Sequence, residues 1–148
     1  MKRYDVGFMC GFFDILHKGH IDSFKFAKQY CNHLIVAVGT DEFMISRKNR
    51  ESVLSYEQRK SIVEAIKYVD EVIAEQDLDK IKAYHQLHFD VMFAGEDHKN
   101  ENVYVKAESD LRKYGVDTIY IPRNYVMSST VLRKRAYEIE NNIRQGTV

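Results

Sequence analysis

Short apolar runs alternate with amphipathic segments along the whole chain, and this alternation constrains the fold more than any other feature. The runs have the length and composition of strands, and the segments between them carry apolar residues at helical spacing. Strands joined by helices must run parallel, so the sequence predicts an α/β fold with an open parallel sheet and helices on both faces. The five strands are predicted over 4–9, 34–38, 71–74, 91–94 and 117–121.

The size and charge of the chain narrow the classes of protein it can belong to. Its 148 residues suit one domain, with 22 basic and 22 acidic residues giving a net charge of zero. A protein that binds nucleic acid through its phosphates needs a basic excess, so no nucleic-acid partner is expected. No signal peptide or membrane-length apolar run is found, and both cysteines are expected to be reduced, which predicts a cytoplasmic protein without membrane insertion.

The stretch over 40–54 has no clear periodicity and is predicted to be a mobile loop above a site. Arg47, Lys48 and Arg50 lie within it, and Arg59 follows in the next helix. Two interpretations stay open. These cations close over bound anions, or they form an ordinary solvated surface.

Two later helices are predicted from their caps and apolar faces. Ser55 and Gln58 form a capping-box pattern that opens the first. Its apolar face is predicted to be Ile62, Ala65 and Ile66, and that of the last helix Leu132, Ala136, Ile139 and Ile143.

The decapeptide over 11–20 is the strongest indication of a functional site. It follows the first strand, precedes an amphipathic helix, and contains His17 and His20 on either side of Gly19. A helix start presents unpaired N–H groups and a positive dipole end, which suits phosphate. Imidazoles at that position can donate to phosphate oxygens that gain charge during a reaction. The alternative is that the histidines only cap the helix or fill the core.

Distinctive residues also follow the other predicted strands. They lie over 11–20, 39–41 and 95–98 and at Arg123. In open α/β sheets, ligands bind beyond the carboxyl ends of the strands, where the strand order reverses. These loops are therefore expected to meet at one crevice.

The motif Gly-x-Phe-Asp-x-x-His-x-Gly-His resembles the signature of the HxGH nucleotidyltransferases. Further stretches are similar to the members that transfer CMP to glycerol 3-phosphate: 40–43, 55–60, 68–73, 95–97, and Pro122-Arg123 followed by 128–130. The resemblance covers nearly the whole chain in order. It implies a Rossmann-like fold with an open sheet of five parallel strands. It also implies that residues 1–148 form a single nucleotidyltransferase domain.

The resemblance implies transfer of CMP from CTP to a small phosphorylated alcohol, glycerol 3-phosphate first, with release of pyrophosphate. It also implies Mg²⁺ as cofactor and a homodimer. Other polyol phosphates and phosphorylated amino alcohols stay open as acceptors. Two further alternatives are an ATP-dependent adenylyltransferase and a nucleotide-binding domain without catalytic activity.

Site residues are carried over position by position. His17, His20, Arg123 and Lys48 are predicted to act in catalysis. Asp14 is the one candidate for binding Mg²⁺, with stabilisation of a turn as the alternative. The nucleotide is predicted to contact Gly11, Phe12, Phe13, Asp14, Gly95, Asp97, Arg123, Ser128, Ser129 and Thr130.

The chain departs from the family pattern at a few positions. Val126 stands where a glycine is usual, so the last loop is expected to take another path. Lys18 and His98 stand where tryptophans are usual, and Lys67 replaces an arginine. These positions point to a difference in the acceptor pocket rather than in nucleotidyl transfer.

Overall fold

The central feature of the computed structural model is a five-stranded sheet, and the structure describes residues 3–123 and 128–146. The strands are β1 (Tyr4–Gly11), β2 (Cys31–Gly39), β3 (Glu71–Glu75), β4 (Val91–Gly95) and β5 (Asp117–Ile121). Their order in the sheet is β3-β2-β1-β4-β5, and every neighbouring pair is parallel. The α/β prediction is therefore confirmed.

Six described helices cover the two faces of this sheet. Phe24 and Val63 pack into one core cluster, and Ala107 and Leu111 pack into the other. Both faces are thus shielded from water, as a parallel sheet requires. The helices are α1 (Lys18–Lys28), α2 (Asp41–Lys48), α3 (Tyr56–Glu64), α4 (Lys80–Leu87), α5 (Asn102–Arg112) and α6 (Ser129–Arg144).

Strand β2 shows why a continuous apolar run marks an interior strand. Leu34, Val36 and Val38 join the cluster beneath α1 and α3, whereas Ile35 and Ala37 join the cluster beneath α5. Successive side chains point to opposite faces, and here both faces are core.

The strand order reverses at β1, because the chain moves outward from β1 to β2 and β3 and then returns to place β4 on its other side. The loops that follow β1 and β4 diverge at this point and leave a crevice between them. The decapeptide over 11–20 follows β1 directly.

The prediction of a mobile loop over 40–54 is wrong for the first half of this stretch, which forms α2. The Thr40 hydroxyl accepts a hydrogen bond from the Phe43 backbone N–H at 3.1 Å, and Phe43 and Met44 are buried. Asn49 ends the helix in the left-handed conformation, with φ of 55°. A helix of eight residues shows only one apolar turn, so its period was not visible in the sequence.

The predicted apolar faces of two helices are also wrong in part. In α3 the buried residues are Arg59 and Val63, whereas Ile62 is exposed. The sixteen-residue α6 is present, but Ile139 and Ile143 are exposed because only its first turns pack on the domain. Among the described residues, no helix is both long and apolar enough to cross a membrane.

Arg59 is fully buried, so neither the anion-binding nor the solvated-surface interpretation holds for it. Its guanidinium donates to the carbonyl oxygens of Phe12 (2.8 Å), Gly39 (2.6 Å) and Leu54 (3.0 Å) and to Asp41 Oδ1 (2.7 Å). One side chain thereby connects the loop after β1, the end of β2 and the start of α2.

We predict that Arg59→Met lowers the free energy of unfolding by about 3 kcal/mol or more, because it leaves buried carbonyl groups without donors. Lys60→Met is the matched control, since Lys60 pairs with Glu64 at the surface. Chemical denaturation measures the free energy of unfolding of both variants. A loss below about 1 kcal/mol for Arg59→Met would contradict this role.

Candidate active site

A cavity of about 550 Å³ lies beyond the carboxyl ends of the strands, and it collects the residues that sequence analysis selected. Its size is typical of a small-ligand site. The selected residues that line it are Gly11, Phe12, Phe13, Asp14, His17, His20, Lys48, Gly95, Asp97, Arg123, Ser128, Ser129 and Thr130.

The loop between β1 and α1 has an unusual backbone. Phe13 and Ile15 have positive φ angles of 53° and 62°, a conformation that costs energy for side chains of this kind. The Phe13 ring packs on Phe24 and edge-on to His20, and a Cβ at Gly11 would lie 2.9 Å from that ring. Gly11 and Phe13 therefore shape the loop through packing as well as lining the cavity.

Asp14 holds this loop against the segment after α2. Its carboxylate, 3% exposed, accepts hydrogen bonds from the backbone N–H groups of Val53 (2.9 Å) and Leu54 (3.0 Å). Arg50 lies 3.6 Å from the same carboxylate. These contacts favour the turn-stabilising interpretation of Asp14. The described residues contain no group of three or more His, Cys, Asp or Glu side chains that fits a protein-bound Mg²⁺.

His17 and His20 cap the start of α1 reciprocally. The Nδ1 atom of His17 accepts from the Gly19 backbone N–H at 3.0 Å, and the Nδ1 atom of His20 accepts from the His17 backbone N–H at 3.2 Å. A neutral imidazole that accepts at Nδ1 carries its proton at Nε2. The cap therefore fixes a tautomer in which each Nε2 atom carries a proton that it can donate.

Burial keeps both imidazoles neutral near pH 7. It lowers the pKa of His20 from 6.5 to about 4, with further contributions from the positive charges of His17 and Arg123. Burial and Arg123 also lower the pKa of His17. The two rings lie 4.0 Å apart, centre to centre. Neutral rings can share this space with a guanidinium without a strong repulsion between like charges.

Cations also line the cavity. The Arg123 guanidinium pairs with Asp97, and the Arg123 backbone N–H donates to Glu96 at 3.1 Å. Lys48, exposed at the end of α2, is a second lining cation. Asp97 thus orients Arg123 while both face the cavity.

The start of α6 lies at the same rim. The Ser128 hydroxyl caps the helix by accepting from the Val131 N–H at 3.1 Å, and the Ser129 hydroxyl donates to the Ile15 carbonyl at 3.3 Å. This contact joins α6 to the loop after β1. Two helix N-termini, those of α1 and α6, therefore border one cavity, and both suit an anion.

Sequence analysis missed Arg133 as a site residue. Its Nη2 donates to the Thr130 hydroxyl at 3.2 Å, while its buried Nη1 has no hydrogen-bond partner among the described residues. An unpaired guanidinium nitrogen at a cavity wall is a donor prepared for an anion. The one sequence feature that could have indicated this role is the spacing of three residues between Thr130 and Arg133, since it places both on one side of α6.

A second set that sequence analysis missed lies on the side of α4 and α5. We name Cys10, Glu75, Lys80 and Tyr104 the inner cluster. Lys80 Nζ lies 2.8 Å from Glu75 Oε2 and 3.1 Å from Cys10 Sγ. These residues come from β1, β3, α4 and α5, so no local pattern connected them.

The positions that depart from the family pattern fall at different places. His98 lines the cavity and stacks on Tyr104 with ring centres 4.8 Å apart, whereas Lys18 is exposed and pairs with Asp22 at 2.8 Å. Val126 lies outside the described residues, so the prediction for its loop stays a prediction.

The fold and the site together define a class of protein. A parallel sheet whose reversal point carries paired neutral imidazoles, guanidinium groups and two helix N-termini is a nucleotide-binding α/β domain that can bind several phosphates at once. Residues 8–135 match the family model described as cytidylyltransferase-like. The chain belongs to the cytidylyltransferase-like family, and with it to the nucleotidyltransferases.

Individual relatives agree with this placement. Glycerol-3-phosphate cytidylyltransferase of Bacillus subtilis (strain 168) is 37% identical over 125 residues, covering 84% of this chain and 91% of that protein. FAD synthase of Thermococcus sibiricus is 34% identical over 116 residues, covering 78% of each. The solved structure of a lipopolysaccharide core biosynthesis protein from Thermoplasma volcanium shares the fold. Its TM-score is 0.68 at 24% identity, with 82% of this chain and 97% of that chain covered.

We predict that the low pKa of His20 makes stability depend on pH. Below pH 6.5 the unfolded chain binds a proton that the folded protein takes up only near pH 4, so the free energy of unfolding falls as pH drops through this window. The decrease is about 2 to 3 kcal/mol. Denaturation curves measured between pH 7 and 4 should show a smaller decrease for His20→Asn than for the wild type.

The control for this measurement is His33→Asn, because His33 is partly exposed and its contact with Glu71 lies at the surface. It should retain the wild-type pH dependence. Identical pH profiles for the wild type and His20→Asn would show that the His20 imidazole is not kept neutral by the fold.

Proposed function

We propose that this protein transfers CMP from CTP to a small phosphorylated alcohol, with glycerol 3-phosphate as first choice, and releases pyrophosphate. The single observation that carries the proposal is the pair of Nε2–H donors set beside Arg123 at a rim bordered by two helix N-termini. The relative from Bacillus subtilis, similar over most of both chains, supports the choice of nucleotide and acceptor.

The proposed reaction is an in-line displacement. An oxygen of the acceptor phosphate forms a bond to the α-phosphorus of CTP, and the bond from that phosphorus to the bridging oxygen of the β-phosphate breaks. A phosphate oxygen is already nucleophilic at neutral pH, so the protein needs to supply alignment and positive charge rather than a strong base.

Each assigned group has a defined part in that displacement. The Nε2–H groups of His17 and His20 donate to phosphate oxygens that gain charge as the bond breaks. Arg123 and Arg133 hold oxygens of the triphosphate through their planar guanidinium groups. Lys48, at the exposed end of α2, meets the acceptor phosphate and reduces the repulsion between the two anions.

Two further parts of the proposal come from the resemblance. Mg²⁺ is proposed to arrive with the triphosphate, whose oxygens are its usual ligands. A homodimer is proposed as the assembled state, and sedimentation of the purified protein measures it directly.

A second candidate is adenylyl transfer from ATP, favoured by the similarity to the FAD synthase of Thermococcus sibiricus. The same phosphate-binding groups would serve either nucleotide, because CTP and ATP carry the same triphosphate. A nucleotide-binding domain without turnover is the remaining alternative.

The proposal predicts that purified protein releases pyrophosphate with CTP and glycerol 3-phosphate, and at least about tenfold more slowly with ATP, since a base pocket distinguishes nucleotides by a few kcal/mol. The assay compares both nucleotides across polyol phosphates, phosphorylated amino alcohols, flavin mononucleotide and pantetheine phosphate. Preference for ATP would replace this proposal by the second candidate. Binding without turnover on every acceptor would identify the domain as non-catalytic.

We predict that His17→Asn lowers kcat by about 10²-fold or more with little loss of stability. An asparagine oxygen can replace Nδ1 as the cap acceptor but leaves no donor at the position of Nε2. His33→Asn, far from the cavity, is the control and should keep wild-type kcat. Wild-type turnover by His17→Asn would remove this residue from the mechanism.

A further inference from the structure

The inner cluster is a buried charged group that the proposed reaction does not use. Lys80 is 4% exposed and Glu75 is 8% exposed, yet their charged atoms are 2.8 Å apart at a cavity wall. Burying an ion pair costs several kcal/mol of hydration, and apolar residues of similar size would serve stability as well. The presence of this ion pair beside the cavity therefore indicates a role in binding part of a ligand.

The position of the inner cluster separates it from the phosphate-binding groups. Glu75 ends β3 at the edge of the sheet, and Lys80 and Tyr104 come from the helices that cover one face. Phe13 and His17 belong to the loop before α1, and His20 to α1 itself, at the other face. One cavity spans both places, so a ligand held by its phosphate at the histidines can extend toward the inner cluster.

The hydrogen-bonding state of the cluster defines the chemistry it can accept. The Lys80 ammonium directs two of its three N–H groups at Glu75 Oε2 and Cys10 Sγ, which leaves one donor. A carboxylate accepts through about four lone-pair positions, so Glu75 keeps an acceptor beyond its contacts with Lys80 and Cys10. A donor and an acceptor side by side match a hydroxyl group, which both accepts and donates.

The protonation states support this description. Burial raises the pKa of the Cys10 thiol to about 12, so the thiol stays neutral. Burial by itself lowers the pKa of Lys80, but its neighbours Cys10, Glu75 and Tyr104 together raise it by more, so the ammonium persists. The pair therefore has no net charge. A neutral ligand end meets no repulsion here, whereas an ammonium would meet Lys80 directly.

We propose that Glu75 and Lys80 form the subsite for the hydroxyl-bearing end of the acceptor and select polyol phosphates over phosphorylated amino alcohols. This inference rests on the proposed function and specifies its acceptor class. Tyr104, stacked under His98, forms the wall beside the pair. Recognition of a hydroxyl by buried polar groups also rejects an analogue that lacks it, because those groups would then be left unpaired.

The test measures kcat/KM with CTP for three acceptors: glycerol 3-phosphate, propyl phosphate and phosphoethanolamine. Propyl phosphate has the same chain length without hydroxyl groups. We expect the wild type to prefer glycerol 3-phosphate over propyl phosphate by about 100-fold or more. The double variant Glu75→Leu with Lys80→Met should reduce that preference at least tenfold while changing the KM for CTP less than about twofold.

The single variant Lys80→Met retains the carboxylate without its partner. It should raise the preference for phosphoethanolamine relative to glycerol 3-phosphate by about tenfold, because an acceptor ammonium can then replace the lost one. Lys82→Met is the matched control, since Lys82 is an exposed lysine of the same helix that pairs with Asp77. Lys82→Met should leave the kcat/KM ratios between the three acceptors unchanged.

The outcomes separate this inference from the proposed function. The subsite would be overturned if both variants showed the same kcat/KM ratios between acceptors as the wild type. It would also be overturned if the wild type did not distinguish propyl phosphate from glycerol 3-phosphate. An equal loss for all acceptors together with a raised KM for CTP would show a structural role only and would also overturn it. A wild type inactive with CTP and every phosphorylated alcohol would overturn the proposed function itself.

Discussion

The buried guanidinium of Arg59 is the interaction on which the arrangement of the active site depends. It donates to the carbonyl groups of Phe12 and Gly39 and to Asp41, so it fixes the loop after β1 relative to the start of α2. Loop carbonyl groups of this kind would otherwise need water, which a closed core excludes. Because one side chain satisfies several of them, two irregular segments can be buried side by side and still line a cavity.

The loop after β1 also shows how local structure sets up chemistry. Two residues with positive φ, Phe13 and Ile15, bring the chain into a conformation that places His17 at the cap of α1. The cap uses Nδ1 of each histidine and leaves Nε2 as the donor. The same hydrogen bonds therefore stabilise the helix start and select the tautomer that phosphate binding needs. Strain in the loop is offset by packing of Phe13 on α1.

Charge is distributed unevenly along the cavity. Arg123 and Arg133 line the part of the cavity that the histidine pair and the start of α6 border, while the neutral ion pair of Glu75 and Lys80 lines the part beside α4 and α5. A cavity of this kind favours a ligand whose anionic groups are at one end and whose neutral polar groups are at the other. Two anions can meet at the first end because cations and helix N-termini reduce their repulsion. The overall zero net charge of the chain gives no sign of this separation.

The sequence by itself determined the parallel α/β sheet and the decapeptide with His17 and His20, because strand period, cap chemistry and motif spacing are local properties. It did not determine α2, because a single apolar turn shows no helical period. It also did not determine the burial of Arg59, because a charged side chain is normally expected at the surface. The inner cluster was decided only by tertiary structure, since Cys10 and Lys80 are 70 residues apart and meet through strand order. Helical periodicity predicted α6 correctly, but whether its apolar side chains are covered depends on neighbours that local pattern cannot specify.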